Sequence, residues 1–523
     1  MQHTRTGVIF GALAGLLTFL FGGWSVAVLG LFAGVGLGLA LESRLERGSP
    51  SKIAKQALPA SLVAGALLLA LSLFQNFVVQ PAIGRRLVLS NVFVPANLIG
   101  VIAIIGLTML TVSFRGLEEK QERMAKMILL AVVAIAFPFI DSFTGMRWTS
   151  STIFALIFVI LGLGLNIVVG YAGLLDLGYA AFFAIGAYTT GILSSSQHNI
   201  YINFWIVIWI AAGMAAIWGL LLGAPTLPLR GDYLAIVTLG FGEIIPVIIR
   251  NLIDVTINEP LTCWIIPGIQ KLFGATSTVA CINLVDHMNI TAGERGINPI
   301  GRPGLFGYEF QSNNPTPWYF LIMAIILLSV FIIRRLHKSR MGRAWMAIRE
   351  DELAAAQMGI DPVRTKLAAF AMGAAFSGFA GAFYAAYIRG IFPSVFDFSA
   401  SIIILCVVIL GGIGNINGVI VGGLVIMTAD RLFLPALKDF FKGLMDFTIL
   451  PSLASNPTLQ SVVAQNANPI LYRFLLFGLT LVIMMAVRPE GLIPSAQLRA
   501  ELHADEVEPV EAETSQSSNG KKG

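Results

Sequence analysis

The stretch that decides the fold is RRLHKSRMGRAWMAIREDELAAAQMGIDPVRTK, residues 334–366, a polar interruption between apolar runs at about 317–333 and 367–388. It is the most basic loop of the chain, with cationic residues at Arg334, Arg335, Lys338, Arg340, Arg343, Arg349, Arg364 and Lys366. Because loops rich in lysine and arginine remain on the cytoplasmic side of a membrane, this pattern predicts a cytoplasmic loop between two membrane-spanning helices.

A short helix is predicted inside this loop, because residues suited to both of its ends are present. Asp351 is a good N-cap, and Gly359 stands at the C′ position, where glycine commonly ends a helix. The carboxylates of Glu350 and Glu352 suit the positive end of the helix dipole. The sequence therefore predicts a helix of about two turns between Asp351 and Gly359.

The residues after this helix and on its surface predict how it is used. Asp361 as N-cap and Pro362 as first helical residue begin the next helix. A two-turn helix is marginal alone in water, so it needs a surface to dock against. Its face of Ala354, Ala355 and Ala356 is small and smooth, which fits a groove on another protein. We therefore expect residues 334–366, the coupling segment, to dock a cytoplasmic partner; a solvated loop is the alternative.

Composition identifies the class of protein. The 523 residues are 56% hydrophobic and 12% charged, with a mean hydropathy of +0.81. Repeated apolar runs near 20 residues predict an all-α polytopic membrane protein of about 12–13 helical segments, some of them discontinuous or re-entrant, surrounded by membrane lipid. The basic residues lie in short loops, which does not indicate nucleic-acid binding. The sequence has no metal-ligand spacing, so we expect no cofactor or metal. It also has no GxxxxGK[ST] loop, so any ATP must be hydrolysed by another chain.

Charge parity and composition predict how the loops and the tail are placed. Residues 254–316 are predicted to be an external loop, and the acidic, polar residues 496–523 a disordered tail. The predicted helix at about 367–388 carries small residues at four-residue spacing, which indicates helix packing rather than a pore. These residues are Ala369, Gly373, Ser377, Gly381 and Ala385.

The segment SIIILCVVILGGIGNINGVIVGGLVI, residues 401–426, is broken by glycines. Its first run is too short to cross a membrane, so we predict two half-helices that could re-enter the same side. The tail is cytoplasmic if this segment turns back and external if it crosses, and we expect the cytoplasmic side.

The segment GLGLNIVVGYAGLLDLGYAAFFAIGAYTTG, residues 162–191, predicts a discontinuous helix, since glycines including Gly173 interrupt it at or near membrane depth. Exposed helix ends can meet the charged groups of a passing substrate, with Tyr171 and Tyr179 as amphipathic walls and Asp176 within the break. A simple interfacial turn is the alternative. Glu243 is a second acid at membrane depth, with either a functional role or a structural pairing with Arg250 or Arg230.

Four sequence blocks resemble a known family. The pattern of Ala354 and Ala355, three further residues and Gly359 resembles the ATPase-contacting loop of bacterial ABC importer permeases, although Leu353 stands where the general pattern has glutamate. GRAWMAIREDELAAAQMGID (342–361) resembles the permeases for branched-chain amino acids. Residues 162–191 also resemble this family, with Asp-Leu-Gly-Tyr where the family has Ser-Leu-Gly-His. A third block is LRGDYLAIVTLGFGEIIPVIIRN (229–251), in which Glu243 stands at the family's acidic position. GINPIGRPGLFG (296–307) is the fourth block. The resemblance implies a permease core at residues 127–495, preceded by extra membrane helices at 1–126.

The resemblance implies the membrane permease subunit of an ABC importer for branched-chain or other hydrophobic amino acids, in a bacterial cytoplasmic membrane. It implies a second related permease, two cytoplasmic ATPases and an extracytoplasmic binding protein as partners. The residues expected to contact an ATPase are Asp351, Glu352, Ala354, Ala355, Ala356 and Gly359. A urea or amide permease is the nearest rival within the family. An ion-coupled secondary transporter would need more intramembrane acids, and a membrane enzyme would need an assembled catalytic cluster.

Cysteine positions predict one disulfide. Cys263 and Cys281 both lie in residues 254–316, which charge parity places outside, where an oxidising compartment permits a bond. Two unpaired cysteines are the alternative, since sequence does not give their separation. Cys406 lies in an apolar run and is expected to be a free thiol.

Overall fold

Helices make up nearly all of the described structure. The structure is a computed structural model, and it describes residues 2–21, 25–42, 50–75, 95–198, 200–226, 232–253, 255–258, 283–305, 307–445 and 469–494. The chain divides into two units, Met1–Ser151 with Thr428–Phe474 and Thr152–Met427 with Leu475–Gly523. The predicted division at residues 126 and 495 stays a prediction, and the acidic tail lies outside the described residues.

The helices confirm the predicted all-α membrane fold. In chain order they are α1 (Gln2–Phe21), α2 (Ser25–Glu42), α3 (Pro50–Phe74), α4 (Pro95–Ser113), α5 (Glu119–Thr144), α6 (Trp148–Leu165), α7 (Ala180–Ser194), α8 (Phe204–Thr226), α9 (Asp232–Asn251), α10 (Thr316–His337), α11 (Arg340–Glu350), α12 (Glu352–Gln357), α13 (Pro362–Ile388), α14 (Phe398–Gly411), α15 (Ile416–Thr428), α16 (Leu434–Leu444) and α17 (Arg473–Val487). Among the described residues, 11 helical stretches are long and apolar enough to cross a membrane.

Short strands in the predicted external loop were not anticipated. The strands are β1 (Val255–Asn258), β2 (Asn283–Met288), β3 (Gly304–Leu305) and β4 (Tyr308–Glu309). β1 pairs with β2 and β3 with β4, both antiparallel. Cys263 and Cys281 lie outside the described residues, so their disulfide stays a prediction. Cys406 is a buried free cysteine, as expected.

Glycines allow the helices of the first unit to approach closely. A Cβ at Gly30 would meet the backbone of Gly100, and one at Gly34 would meet the backbone of Ile104, because α2 and α4 touch along this face. The Thr108 hydroxyl donates a 3.1 Å hydrogen bond to the Gly34 carbonyl across the same contact. The four-residue glycine spacing of α2 is therefore a packing face.

The second unit is built around α13, whose small-residue stripe packs against its neighbours. A Cβ at Gly373 would meet Gly164 and Val168 of the α6 region, and one at Gly381 would meet the backbone of Phe183 in α7. The stripe therefore serves close helix packing, as the spacing predicts.

The glycine-rich break after Gly411 is confirmed, but the helices on either side are longer than predicted. With the turn before it, α14 belongs to a 19-residue apolar stretch, Pro393–Gly411. α15 continues through a π-helical turn at Ala429–Phe433 into α16. Each side of the break therefore has the length of a full span rather than of a half-helix.

Three distant parts of the second unit meet at this break. Gly414, at a φ of 82°, donates its backbone N–H to Asn166 Oδ1 at 2.8 Å. The N–H of Ile493 donates to the Gly411 carbonyl at 3.1 Å. Arg334, the first residue of the coupling segment, donates to Asn417 at 3.3 Å. Residues 488–494 thus lie at the same end of the unit as the coupling segment, which agrees with a cytoplasmic start for the tail.

Candidate functional site

The coupling segment contains the predicted short helix with the predicted ends. Asp351 caps α12, because its Oδ1 accepts hydrogen bonds from the backbone N–H groups of Leu353 at 2.8 Å and Ala354 at 3.0 Å. Gly359 has a φ of 86°, the left-handed conformation expected after a helix end. Asp361 Oδ1 caps α13 through the N–H of Arg364 at 3.2 Å. Local capping chemistry therefore determines where these helices begin and end.

A second helix, α11, precedes α12 and was not predicted. The Ser339 side chain caps it by accepting from the Gly342 N–H at 3.3 Å. Trp345 is fully buried, and its indole Nε1 donates to the Thr365 carbonyl at 2.8 Å. The available signal was the apolar pair Trp345 and Ile348 at helical spacing, both of which face inward.

A buried ion pair joins α12 to α13. Lys366 Nζ lies 2.7 Å from Glu352 Oε1, and the Lys366 side chain is only 7% exposed. Removing one partner would leave a charge with little access to water, so the pair holds the short helix in place. Glu352, predicted as an ATPase contact, thus has a partner inside the chain.

The face that α12 presents differs from the predicted alanine surface. Ala355 is 5% exposed and faces inward, so the prediction that all three alanines face a partner is wrong for this residue. Leu353 is 66% exposed and Met358 84% exposed, which gives the outer face two large apolar side chains beside Ala354. A partner would therefore meet apolar protrusions rather than a smooth strip.

Arg349 connects the coupling segment to the discontinuous helix. Its NH1 donates a 2.7 Å hydrogen bond to the carbonyl oxygen of Gly170, in the π-helical turn Asn166–Tyr171 that follows α6. Gly173 has a φ of 70°, and a Cβ there would meet the side chain of Arg349. Nearby, the rings of Tyr171 and His337 lie 4.7 Å apart between centroids. The coupling segment thus contacts the break directly.

The predicted interruption between α6 and α7 is present. The chain passes from α6 into a π-helical turn at Asn166–Tyr171 and resumes an α-helix at Ala180. Asp176 is 2% exposed, and its Oδ1 accepts from the Gly178 N–H at 2.9 Å. Its Oδ2 has no hydrogen-bond partner among the described residues. Most of this irregular backbone is buried in protein, as the membrane requires, whereas Gly173 and Leu175 are exposed.

The two tyrosines of the break are packed in the interior. Tyr179 is fully buried, and its hydroxyl donates to the Gly373 carbonyl of α13 at 2.7 Å. Tyr171 is 4% exposed. In this conformation Tyr179 therefore joins α7 to α13.

Glu243 lies on an exposed face midway along α9. Arg250 does not pair with it, because the Arg250 Nε lies 3.2 Å from Glu294 Oε1 instead. Arg230 lies outside the described residues. The other face of α9 packs on the break, where the Leu177 N–H donates to the Thr238 hydroxyl at 3.1 Å. Among the described residues, no three potential metal ligands gather in one place.

Comparison with known proteins shows the family to which the chain belongs. The model of the family described as "Branched-chain amino acid transport system / permease component" matches residues 147–484. The chain belongs to this family. The match includes both the coupling segment and the discontinuous helix, so the two features described above lie in the family's own core. No solved structure matches the chain.

Named relatives carry the same description. The permease protein LivM of the high-affinity branched-chain amino acid transport system is 33% identical in Salmonella typhimurium, over 74% of this chain and 78% of that protein. LivM of Escherichia coli is 36% identical over 72% of this chain and 76% of that protein. LivH of Escherichia coli is 28% identical over 35% of this chain and 60% of that protein. As a family member, the chain is a membrane permease subunit of an ABC importer.

Proposed function

We propose that the chain imports branched-chain or other hydrophobic amino acids across a bacterial cytoplasmic membrane. An extracytoplasmic binding protein delivers the amino acid, and two cytoplasmic ATPases drive its passage. The second permease is a related subunit, which is supported by the existence of both LivM-type and LivH-type relatives. The names of these relatives support the substrate class.

The link from α12 through Arg349 to Gly170 carries this proposal. The outer face of α12 offers Leu353 and Met358 to an ATPase, and the inner side of the segment touches the break in the discontinuous helix. A displacement of the coupling segment must therefore either break the Arg349 hydrogen bond or move the Gly170 backbone that accepts it. Movement driven by ATP binding in the partner would thus reach the translocation region without an intervening flexible loop.

We infer an alternating-access mechanism, which the contacts of the coupling segment support. Closure of the ATPases pushes α11 and α12, which the Trp345 and Glu352 contacts hold to α13 as one body. Because α13 packs by small residues against α6 and α7, its displacement is transmitted to both sides of the break. The pathway then opens toward the loaded binding protein, and ATP hydrolysis reverses the movement.

The two acids at membrane depth are the pathway candidates. Asp176 has an unpartnered oxygen in the break, and Glu243 lies on the exposed face of α9. A carboxylate at this depth is expensive without water, a cation or a proton. Both carboxylates are suited to bind the ammonium group of a passing amino acid. Gly173 has no side chain, which leaves room for the side chain of Arg349 beside the break.

Uptake by the complete complex tests the proposal. Proteoliposomes containing both permeases and both ATPases receive the binding protein loaded with labelled leucine, isoleucine, valine, urea or acetamide. We expect branched-chain amino acids to accumulate only with ATP on the ATPase side. Accumulation of urea or acetamide alone would assign the chain to the amide-transporting relatives. Uptake driven by an ion gradient without ATP would overturn the ABC mechanism.

A further inference from the structure

Asn166 joins the break between α6 and α7 to the glycine-rich break between α14 and α15, which we call the glycine break (residues 412–415). Asn166 is the first residue of the π-helical turn that follows α6. Its Oδ1 accepts a 2.8 Å hydrogen bond from the backbone N–H of Gly414. The two residues are 248 positions apart in the chain, and both belong to the second unit. The bond is therefore a tertiary contact between two irregular segments of this unit.

Gly170 lies beside this hydrogen bond and leaves room for it. A Cβ at Gly170 would meet Asn166 Oδ1 and would lie 2.8 Å from the backbone nitrogen of Gly414. A side chain at this position would therefore push the donor and the acceptor apart. The carbonyl oxygen of the same glycine accepts the hydrogen bond from Arg349. One residue of the break thus contacts both the coupling segment and the junction with the glycine break.

The side-chain amide of Asn166 has one hydrogen-bonded atom and one unpartnered atom. Asn166 is fully buried, and its Nδ2 has no hydrogen-bond partner among the described residues. Because the Gly414 N–H is a donor, it can pair only with the oxygen of the amide. A buried amide nitrogen without a partner costs free energy, and a leucine of similar size would avoid that cost. Filling space therefore gives no reason for an asparagine here, whereas accepting from Gly414 does.

The glycine break has a defined backbone conformation. Gly412 and Gly414 have φ angles of 118° and 82°, in the region that favours glycine. Asn415 Nδ2 donates to the carbonyl oxygens of Ile493 at 3.2 Å and Pro494 at 3.1 Å. The glycine break is therefore a formed structure, which contacts the residues after α17 as well as Asn166.

The coupling segment contacts the surroundings of both breaks. Arg349 donates to Gly170 in the break, and Arg334 donates to Asn417 Oδ1 at 3.3 Å, near the start of α15. With the bond made by Asn166, these contacts link the coupling segment to the break, the break to the glycine break, and α15 back to the coupling segment. A displacement of the coupling segment that preserves the three contacts must therefore move both breaks.

We propose that Asn166 is a positioning residue for transport, which makes the two breaks move together when the coupling segment is displaced. It acts through the backbone of Gly414 and touches no substrate in this role. The inference rests on the proposed function, since partner ATPases supply the displacement. Coupling between distant elements is carried by hydrogen-bond networks and packed helices of this kind. Asn166 thus extends the coupling route from α13 to α14 and α15.

Asn166→Leu is the primary test, because it removes the acceptor and nearly keeps the volume. Backbone hydrogen exchange is measured by mass spectrometry on the complete complex in nanodiscs, with and without ATP. In the wild type we expect ATP to change exchange in residues 166–173 and in residues 411–417 together. In the variant we expect ATP to change only residues 166–173. Without ATP, residues 411–417 should exchange about tenfold faster in the variant, since the Gly414 amide has lost its acceptor.

Gly170→Ala tests the same hydrogen bond without changing Asn166. Its methyl group would meet Asn166 Oδ1, so we expect the leucine transported per ATP to fall about tenfold, as in Asn166→Leu. Gly162→Ala is the matched control on α6. A Cβ there would lie 2.8 Å from Val407 Cγ1 of α14 and 3.0 Å from Val419 Cγ1 of α15, away from the hydrogen bond. It should lower the thermal stability and leave the transport ratio unchanged.

The outcomes distinguish this inference from the proposed function. If the wild-type complex imports leucine but ATP still changes both regions together in Asn166→Leu, Asn166 serves packing only and the importer assignment stands. A wild-type response confined to residues 166–173 would also overturn the inference. If Asn166→Leu does not assemble, the same exchange measurement on Gly170→Ala decides. If the wild-type complex imports no amino acid, the proposed function fails, and the exchange data still show whether the two breaks move together.

Discussion

Arg349 in the coupling segment donates a 2.7 Å hydrogen bond to the carbonyl oxygen of Gly170, in the π-helical turn that follows α6. The two residues are 179 positions apart in the chain, yet the bond joins α11 to the interrupted membrane helix. In the proposed mechanism, this contact is the point at which movement of the ATPases reaches the backbone of the break.

Arg349→Met should uncouple ATP hydrolysis from uptake. The substitution keeps an unbranched, flexible side chain but removes the guanidinium donors, which costs about 1.5–3 kcal/mol for a hydrogen bond from a charged group. We expect assembly and ATP hydrolysis to persist while leucine transported per ATP falls about tenfold. Arg343→Met is the matched control, because Arg343 donates only within the segment, to Lys338 at 3.0 Å. An unchanged ratio in Arg349→Met would contradict this role.

Met358→Asp should remove the ATPase from the complex without unfolding the permease. Met358 is 84% exposed, so the new carboxylate stays in water but replaces an apolar contact with a partner. Co-purification of the ATPase with tagged permease measures the loss. Ala355→Asp is the contrasting variant, since Ala355 is 5% exposed and a carboxylate there would be buried. It should lower the thermal stability of the permease itself. Full ATPase recovery with Met358→Asp would place the docking surface elsewhere.

Glu243→Gln should reduce uptake, whereas a new amide one turn away on the same face of α9 should leave uptake unchanged. Glu243 lies exposed at membrane depth, where a carboxylate needs water, a partner or a proton. Val247→Gln is the control, because Val247 is 50% exposed on α9 and gains the same amide. Asp176→Asn, which keeps an acceptor for the Gly178 N–H, completes the set. Normal uptake in both Glu243→Gln and Asp176→Asn would assign both acids to structure only.

Thiol labelling tests the predicted disulfide between Cys263 and Cys281. A closed loop of about 18 residues would stabilise the folded protein by about 3 kcal/mol on the chain-entropy model. Unreduced protein is denatured and treated with a maleimide, and labelled cysteines are counted by mass. We expect one label, on Cys406. Three labels would reject the bond and weaken the external assignment of residues 254–316.

The sequence was sufficient for features that depend on local chemistry. The ends of α12 follow from Asp351 and Gly359, because capping satisfies backbone groups within a few residues. The interruption after Gly170 follows from the glycines near it. Membrane spans follow from the length of apolar runs, which the bilayer thickness sets.

Features that depend on tertiary packing could not be predicted from the sequence. A helix as short as α12 has too few turns for its apolar period to indicate which side is buried, so the inward orientation of Ala355 depends on contacts with other elements. The Glu352–Lys366 pair and the Arg349–Gly170 bond join residues whose relative positions only the fold determines. Glu243 shows the same limit, because the sequence leaves open a functional role or a pairing with Arg250 or Arg230, and only the fold shows that Arg250 pairs with Glu294.

The contact between Gly411 and Ile493 has a consequence for the order of synthesis. The Leu410 and Gly411 carbonyls accept hydrogen bonds from the N–H groups of Leu492 and Ile493. Ribosomes add about 5–20 residues each second, so these donors emerge roughly 4–16 s after their acceptors. During that interval the Leu410 and Gly411 carbonyls lack these two donors, so the turn is completed only after the last membrane helix has been made. The seven residues 488–494 therefore complete this turn late in synthesis, and a chain that lacked them would leave both carbonyls without these hydrogen bonds.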